Sequence, residues 1–193
     1  MRSKPEISPA VALATVTGPA WERTRPRPAA GAEALLPQPA AVTTALVFAQ
    51  VFLGALMRHM GAGLAIPDFP LAFGRLVPPL VTPYITVHFA HRVGALVVAV
   101  AVTWTVTRAL RHRADVPGLR RPALLAAGLL ALQVTLGALT IWSRRAVLPT
   151  TTHLVVGAAL LATCLTLTLR ASRALAVVRT NPAPAGLPGR ALA

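Results

Sequence analysis

The chain has 193 residues, of which 55% are hydrophobic and only 12% charged. That mixture excludes an ordinary soluble domain and places the chain among membrane proteins. The formal charge of +14 would usually suggest a nucleic-acid partner, but aromatics are only 5% and 18 of the 19 cations are arginines gathered between long apolar runs. No nucleic-acid partner is expected from such clustering. Cys164 is the single cysteine. It excludes an internal disulfide and a cysteine-rich zinc site, and its apolar surroundings predict an inert buried thiol.

Residues 1–40 contain Pro5, Pro9, Pro19, Pro26, Pro28, Pro37 and Pro39 among scattered arginines. This composition predicts a disordered cytoplasmic tail. The stretch Val11 to Val16 is too short for a signal peptide, so the tail is expected to be retained.

Four uncharged apolar windows follow, near 41–58, 86–107, 122–142 and 150–169. Each approaches the roughly 20 residues that a helix needs to cross a bilayer. The predicted fold is therefore an all-α integral membrane protein, a bundle of four transmembrane helices over 41–170, with membrane lipid as its surroundings and a second disordered tail over 171–193. Sorting the cations by loop puts fourteen on the side of the two termini and five on the other: Arg58, Arg75, Arg92, Arg144 and Arg145. The asymmetry predicts cytoplasmic termini in a multi-pass protein of the inner (plasma) membrane.

An internal repeat supports the four-helix reading. Gln50 to Leu56, QVFLGAL, returns as Gln133 to Leu139, QVTLGAL, and His91-Arg92-Val93-Gly94-Ala95 is echoed by His153-Leu154-Val155-Val156-Gly157-Ala158. A duplicated helical hairpin is the expected architecture. Gln50 and Gln133 are read as helix-packing residues, because small residues and amides join helices in lipid.

His59, His88, His91 and His153 fall at the outer helix ends, whereas His112 lies in a basic loop and is read as solvated. The second and fourth helices run in the same direction, so His91 and His153 can face one another within the bundle. Opposed imidazoles suit haem iron held from both faces. Zinc is a second option if His88, one turn before His91, supplies a third ligand. Arg92 and Arg58 stand at the same outer level and suit the two carboxylates of a haem, with interfacial anchoring as the alternative. The outer segment Gly61 to Arg75 is apolar and rich in Gly and Pro, and is expected to fold over the bundle mouth as a lid. Asp68, the sole outer carboxylate, is expected to pair with Arg75 or Arg58, or else to handle protons.

The segment Leu53 to Pro70, LGALMRHMGAGLAIPDFP, with VHFAHRVGA from Val87, QVTLGALT from Gln133 and TTHLVVGA from Thr151, resembles the haem A synthase family. The resemblance spans about 41–170. It implies an enzyme that oxidises a methyl group of haem O to the formyl group of haem A during cytochrome oxidase assembly. Family members of the usual form have two similar four-helix halves, each with a histidine pair that His91 and His153 match. The resemblance further implies a haem b cofactor, haem O as substrate and haem A as product. A homodimer is implied if two haem sites are needed, and a haem O synthase and an electron-transfer protein are implied partners.

Two departures accompany it. His88 stands where the substrate half of the family has a glutamate assigned to catalysis, which makes His88 the catalytic candidate here. Ile66 and Ala72 stand where many bacterial members have lid cysteines. The leading expectation is thus an oxidoreductase. The rivals are a non-catalytic b-type haem protein for electron transfer or haem delivery, and a membrane scaffold that binds nothing.

Overall fold

A computed structural model describes residues 37–112 and 118–180, together with Gly18. The rest of both tails and the loop 113–117 lie outside the described residues. Four long helices dominate: α1 (Pro37–His59), α2 (Pro83–His112), α3 (Arg120–Trp142) and α4 (Val147–Thr180). A short 3₁₀ turn, Ala62–Leu64, lies between α1 and α2. At 1.5 Å per residue the 23-residue helices α1 and α3 are about 35 Å long, enough for a hydrocarbon core of about 30 Å. All four contain a window of mean hydropathy between 1.8 and 2.0.

The helices begin up to four residues earlier than the apolar windows suggest, and the reason is proline. Pro37 and Pro39, Pro83, Pro122 and Pro149 each lie in the first turn of one helix. A first-turn residue has no intrahelical acceptor for its N–H, so proline costs nothing there and its fixed φ favours the helix. Thus 37–40 belong to α1 rather than to the preceding tail. At the other end α4 runs to Thr180, ten residues into the segment expected to be disordered.

Principal contacts run from α1 to α2, α2 to α3, α3 to α4 and back from α4 to α1. The bundle is a closed ring in which α2 and α4 are diagonal. Its half nearer the α2–α3 connection is packed tightly with small and branched residues. Val47, Val98, Val102, Ala109, Leu119, Ala123, Leu160 and Leu167 are buried together, with Cys164 among them, as its apolar context implies. Hydroxyls bridge the same region: Thr43 and Thr105 are 2.8 Å apart, and Thr44 and Thr168 2.9 Å. In lipid such pairs take the place of the hydrophobic drive that is absent between helices. Arg170 reaches back to the carbonyl of Gly118 at 2.6 Å and so fastens α4 to the turn that opens α3. The outward faces carry Phe48, Phe52, Leu96, Trp104 and Leu125, all exposed, as lipid requires.

Candidate functional site

The other half of the bundle, nearer the α1–α2 connection, is built differently. His91 stands eight residues into α2 and His153 six into α4, about 12 and 9 Å along their helices. Both are half-buried.

Each histidine is gripped by the helix that precedes its own. In the first hairpin the Gln50 amide nitrogen lies 2.8 Å from the His91 carbonyl oxygen and 3.1 Å from His91 Nδ1. In the second, His153 Nδ1 lies 3.2 Å from the backbone carbonyl of Gln133, and the Gln133 amide nitrogen 3.4 Å from His153 Nε2. Glycine makes both grips possible. A Cβ on Gly54 would lie 2.9 Å from His91 Cε1, and one on Gly137 3.3 Å from His153 Cε1. Likewise a Cβ on Gly94 would meet the Gln50 amide, and one on Gly157 would come within 3.0 Å of the Gln133 amide. Reading the glutamines as packing residues therefore missed their contact with the histidines. The signal was present in sequence as a glycine one turn after each glutamine, Gln50 to Gly54 and Gln133 to Gly137, which leaves an imidazole room to rest against the helix.

His88 does not join this pair. It is 2% exposed and lies under the lid, where its Nδ1 faces the backbone N–H of Ile66 at 3.2 Å and its Nε2 faces Nε of Arg92 at 3.3 Å. Among the described residues no three of His, Cys, Asp and Glu come together, so a zinc site using His88, His91 and His153 is not formed. A neutral imidazole has one lone pair for two facing donors, so His88 can accept from only one of them at a time.

Arg92 holds the lid. Its guanidinium donates to the carbonyls of Leu71 at 2.8 Å, Ile66 at 3.1 Å and Asp68 at 2.6 Å, and lies over the Phe69 ring at 5.7 Å from the centroid. Trp142, at the end of α3, meets Phe69 edge-on at 6.1 Å and donates to its carbonyl at 3.4 Å. Phe69 is thus held from two sides, while Ile66 is fully buried beneath it. Arg58 is exposed near the end of α1, followed by His59, also exposed.

Asp68 pairs with neither Arg75 nor Arg58. Its two oxygens accept the backbone N–H groups of Phe73, at 2.8 Å, and Gly74, at 2.9 Å. These are the central residues of a tight turn closed by Ala72 and Arg75, and both have positive φ, 56° and 72°. A turn that forces Phe73 into the left-handed region directs two N–H groups at one point, and the carboxylate sits there. Those bonds hold the Asp68 pKa below its usual value. Because the folded pKa is depressed, the support is complete above the ordinary carboxylate pKa of about 4 and is lost as pH falls through the lower folded value. Hydrogen-exchange protection of Phe73 and Gly74 is therefore expected to be flat from about pH 8 to 5 and to fall only below about pH 4. Asp68→Ala is expected to remove the protection throughout.

A ring of four helices long and apolar enough to span a bilayer, with a folded-back segment over one end, defines a multi-pass membrane protein. The family model for the cytochrome oxidase assembly protein matches residues 10–165, and the chain belongs to that family. Heme A synthase of Rhodopseudomonas palustris (strain HaA2) is 31% identical over 182 residues, 86% of this chain and 49% of that protein. Heme A synthase of Symbiobacterium thermophilum is 46% identical over 101 residues, 51% of this chain and 31% of that one. For Staphylococcus carnosus the figures are 32% over 97 residues, 50% and 31%. The chain matches from 31% to 49% of the length of these relatives.

Proposed function

We propose that the chain holds a haem between His91 and His153 and takes part in haem A synthesis for cytochrome oxidase, with haem b as resident cofactor and haem O and haem A as substrate and product. The observation that carries the reading is the symmetry of the site: two imidazoles at one end of the bundle, each held by a glutamine of the preceding helix and each resting on glycine. Glycine at 54 and 137 lets each imidazole lie close against the neighbouring helix, and His153 donates Nδ1–H to a backbone carbonyl, the usual support of a metal-bound imidazole. The matching contacts in α1–α2 and α3–α4 also support an origin by hairpin duplication. A bound haem would supply the redox chemistry. The chain's own residues bind and orient it: His91 and His153 fix its plane, exposed Arg58 is suited to a propionate, and Arg92 keeps the lid over the mouth.

The cation asymmetry supports cytoplasmic termini in the plasma membrane, with the site at the outer surface. A homodimer, in which a second copy contributes a second histidine pair, is part of the proposal. A haem O synthase and an electron-transfer protein complete the proposed partners.

One observation favours a second reading, haem binding without oxidation. His88 would have to move protons for the oxidation, yet it is buried beneath the lid with both ring nitrogens facing donors.

The test is spectroscopic. Detergent-purified protein is expected to show reduced-minus-oxidised haem bands that are lost in the His91→Ala, His153→Ala double variant. Absence of bands from the wild type would sink the haem reading. Co-expression with a haem O synthase, followed by haem extraction, then decides between the readings: haem A supports oxidation, and haem b alone supports the second.

A further inference from the structure

Between α1 and the start of α2 the surface carries a trough of about 580 Å³. That volume falls within the range of about 300–1,000 Å³ that holds small ligands. Leu56 and Met60 of α1, Leu80 and Val81 of the connection, and Thr86 and Ala90 of α2 are among its walls. Among the described residues no charged side chain lines it. Its two threonines are already engaged in the first turn of α2: Thr86 donates to the Thr82 carbonyl at 3.1 Å, and Thr82 Oγ1 accepts the N–H of Ile85 at 3.3 Å. The trough offers little to a polar ligand.

The connection that forms its rim is equally apolar. From Leu76 to Val87 the sequence has no charged residue. Leu76 is 85% exposed and Val81 75%, and neither belongs to a helix. Pro78, Pro79 and Pro83 have no N–H to satisfy, and the Val81 N–H is bonded to the Pro79 carbonyl at 2.9 Å. A backbone with so few free donors suits apolar surroundings, where each unsatisfied group is costly. Continuity says what covers it. Leu56, a wall of the trough, stands one turn after Phe52 on the outward face of α1, and both are exposed. The face that meets lipid along α1 therefore runs directly into the trough. Tyr84, half exposed in the first turn of α2, has the amphipathic ring that settles at the headgroup level.

We propose that the connection 76–84 lies in the bilayer interface and that the trough holds an acyl chain of a membrane phospholipid. The acyl chain packs between α1 and α2, and Leu76, Val77 and Val81 bury their exposed sides in lipid. In the test the full chain, with Cys164→Ala as background, is reconstituted in phosphatidylcholine nanodiscs and spin-labelled at Val81→Cys. Phe52→Cys is the lipid reference and Arg75→Cys the polar one. Val81 is expected to match Phe52, colliding more with oxygen than with a water-soluble nickel chelate, and Arg75 to show the reverse. Native mass spectra of unlabelled protein released from the nanodiscs are expected to retain a phospholipid. Ala90→Trp, which fills the trough from an exposed position, is expected to lower the affinity for that lipid roughly tenfold, the worth of about two buried methylenes. A Val81 label more open to the nickel chelate than to oxygen, or unchanged lipid retention in Ala90→Trp, would overturn the inference. So would dipolar broadening between Val81 labels of neighbouring chains, which would put a second copy over the trough. Should Ala90→Trp fail to fold, the Val81 label decides alone. Neither measurement involves haem, so the inference stands or falls apart from the proposed function.

Discussion

Arg92→Ala is expected to favour opening of the lid over residues 62–75 by about 2 kcal/mol, an increase of about 30-fold in the open population. One guanidinium donates to the carbonyls of Leu71, Ile66 and Asp68 and covers Phe69. Hydrogen bonds from a charged donor contribute about 1.5–3 kcal/mol each when well enclosed. The rim is half open to solvent, so the sum is discounted to the value of about one such bond. Alanine leaves three carbonyls facing inward without a donor and Phe69 without the cation over its face. Arg92→Lys restores less than half of the loss, because an ammonium cannot fork across carbonyls separated as these are. The measurement is hydrogen exchange, or limited proteolysis, across 62–75. Lid protection equal to wild type in Arg92→Ala would show that Phe69 and Trp142 suffice to hold it shut.

The second large effect is expected from a single added side chain. In Gly54→Val the first added carbon would lie 2.9 Å from His91 Cε1, closer than packed atoms tolerate, and the branched methyls make retreat harder. The ring must leave its rest against α1, and its bond to Gln50 goes with it. Overpacking of this kind costs about 1–3 kcal/mol, and the larger consequence is that His91 can no longer face His153. Gly54→Val is expected to bind haemin through one histidine only, with the visible spectrum of His91→Ala. Gly128→Val is the control. Nothing lies within 4 Å of a Cβ at Gly128, so an equal effect there would mean that bulk anywhere in the bundle is harmful.

Much of the fold was legible because its cause is crude: each window needs only length and apolarity to span, and both are written in composition. Helix starts were less legible. Proline signals an interruption in general, yet here Pro37, Pro83, Pro122 and Pro149 mark beginnings, where the missing N–H is no loss. The sequence repeat picked out His91 and His153, and the structure puts both towards the same end of the bundle. What held the histidines was not, since a glutamine in an apolar helix reads equally as packing or as a hydrogen-bond arm, and only the packed geometry shows which atom it meets. Arg92 illustrates the same limit. Its position next to His91 suggested a carboxylate partner, but in sequence nothing distinguishes a carboxylate from the backbone carbonyls of a folded-back loop. Asp68 was read by its charge, whereas its role follows from the unusual φ of Phe73, which no residue pattern announces.

The ring order of the helices has one more consequence. Because α2 and α4 are diagonal, a ligand clasped by His91 and His153 would join two helices that are not principal neighbours, one from each hairpin. Such a ligand acts as a rivet through the middle of the bundle. Without it, the hairpins are free to come apart in separate steps; with it, they must melt together, in one sharper transition.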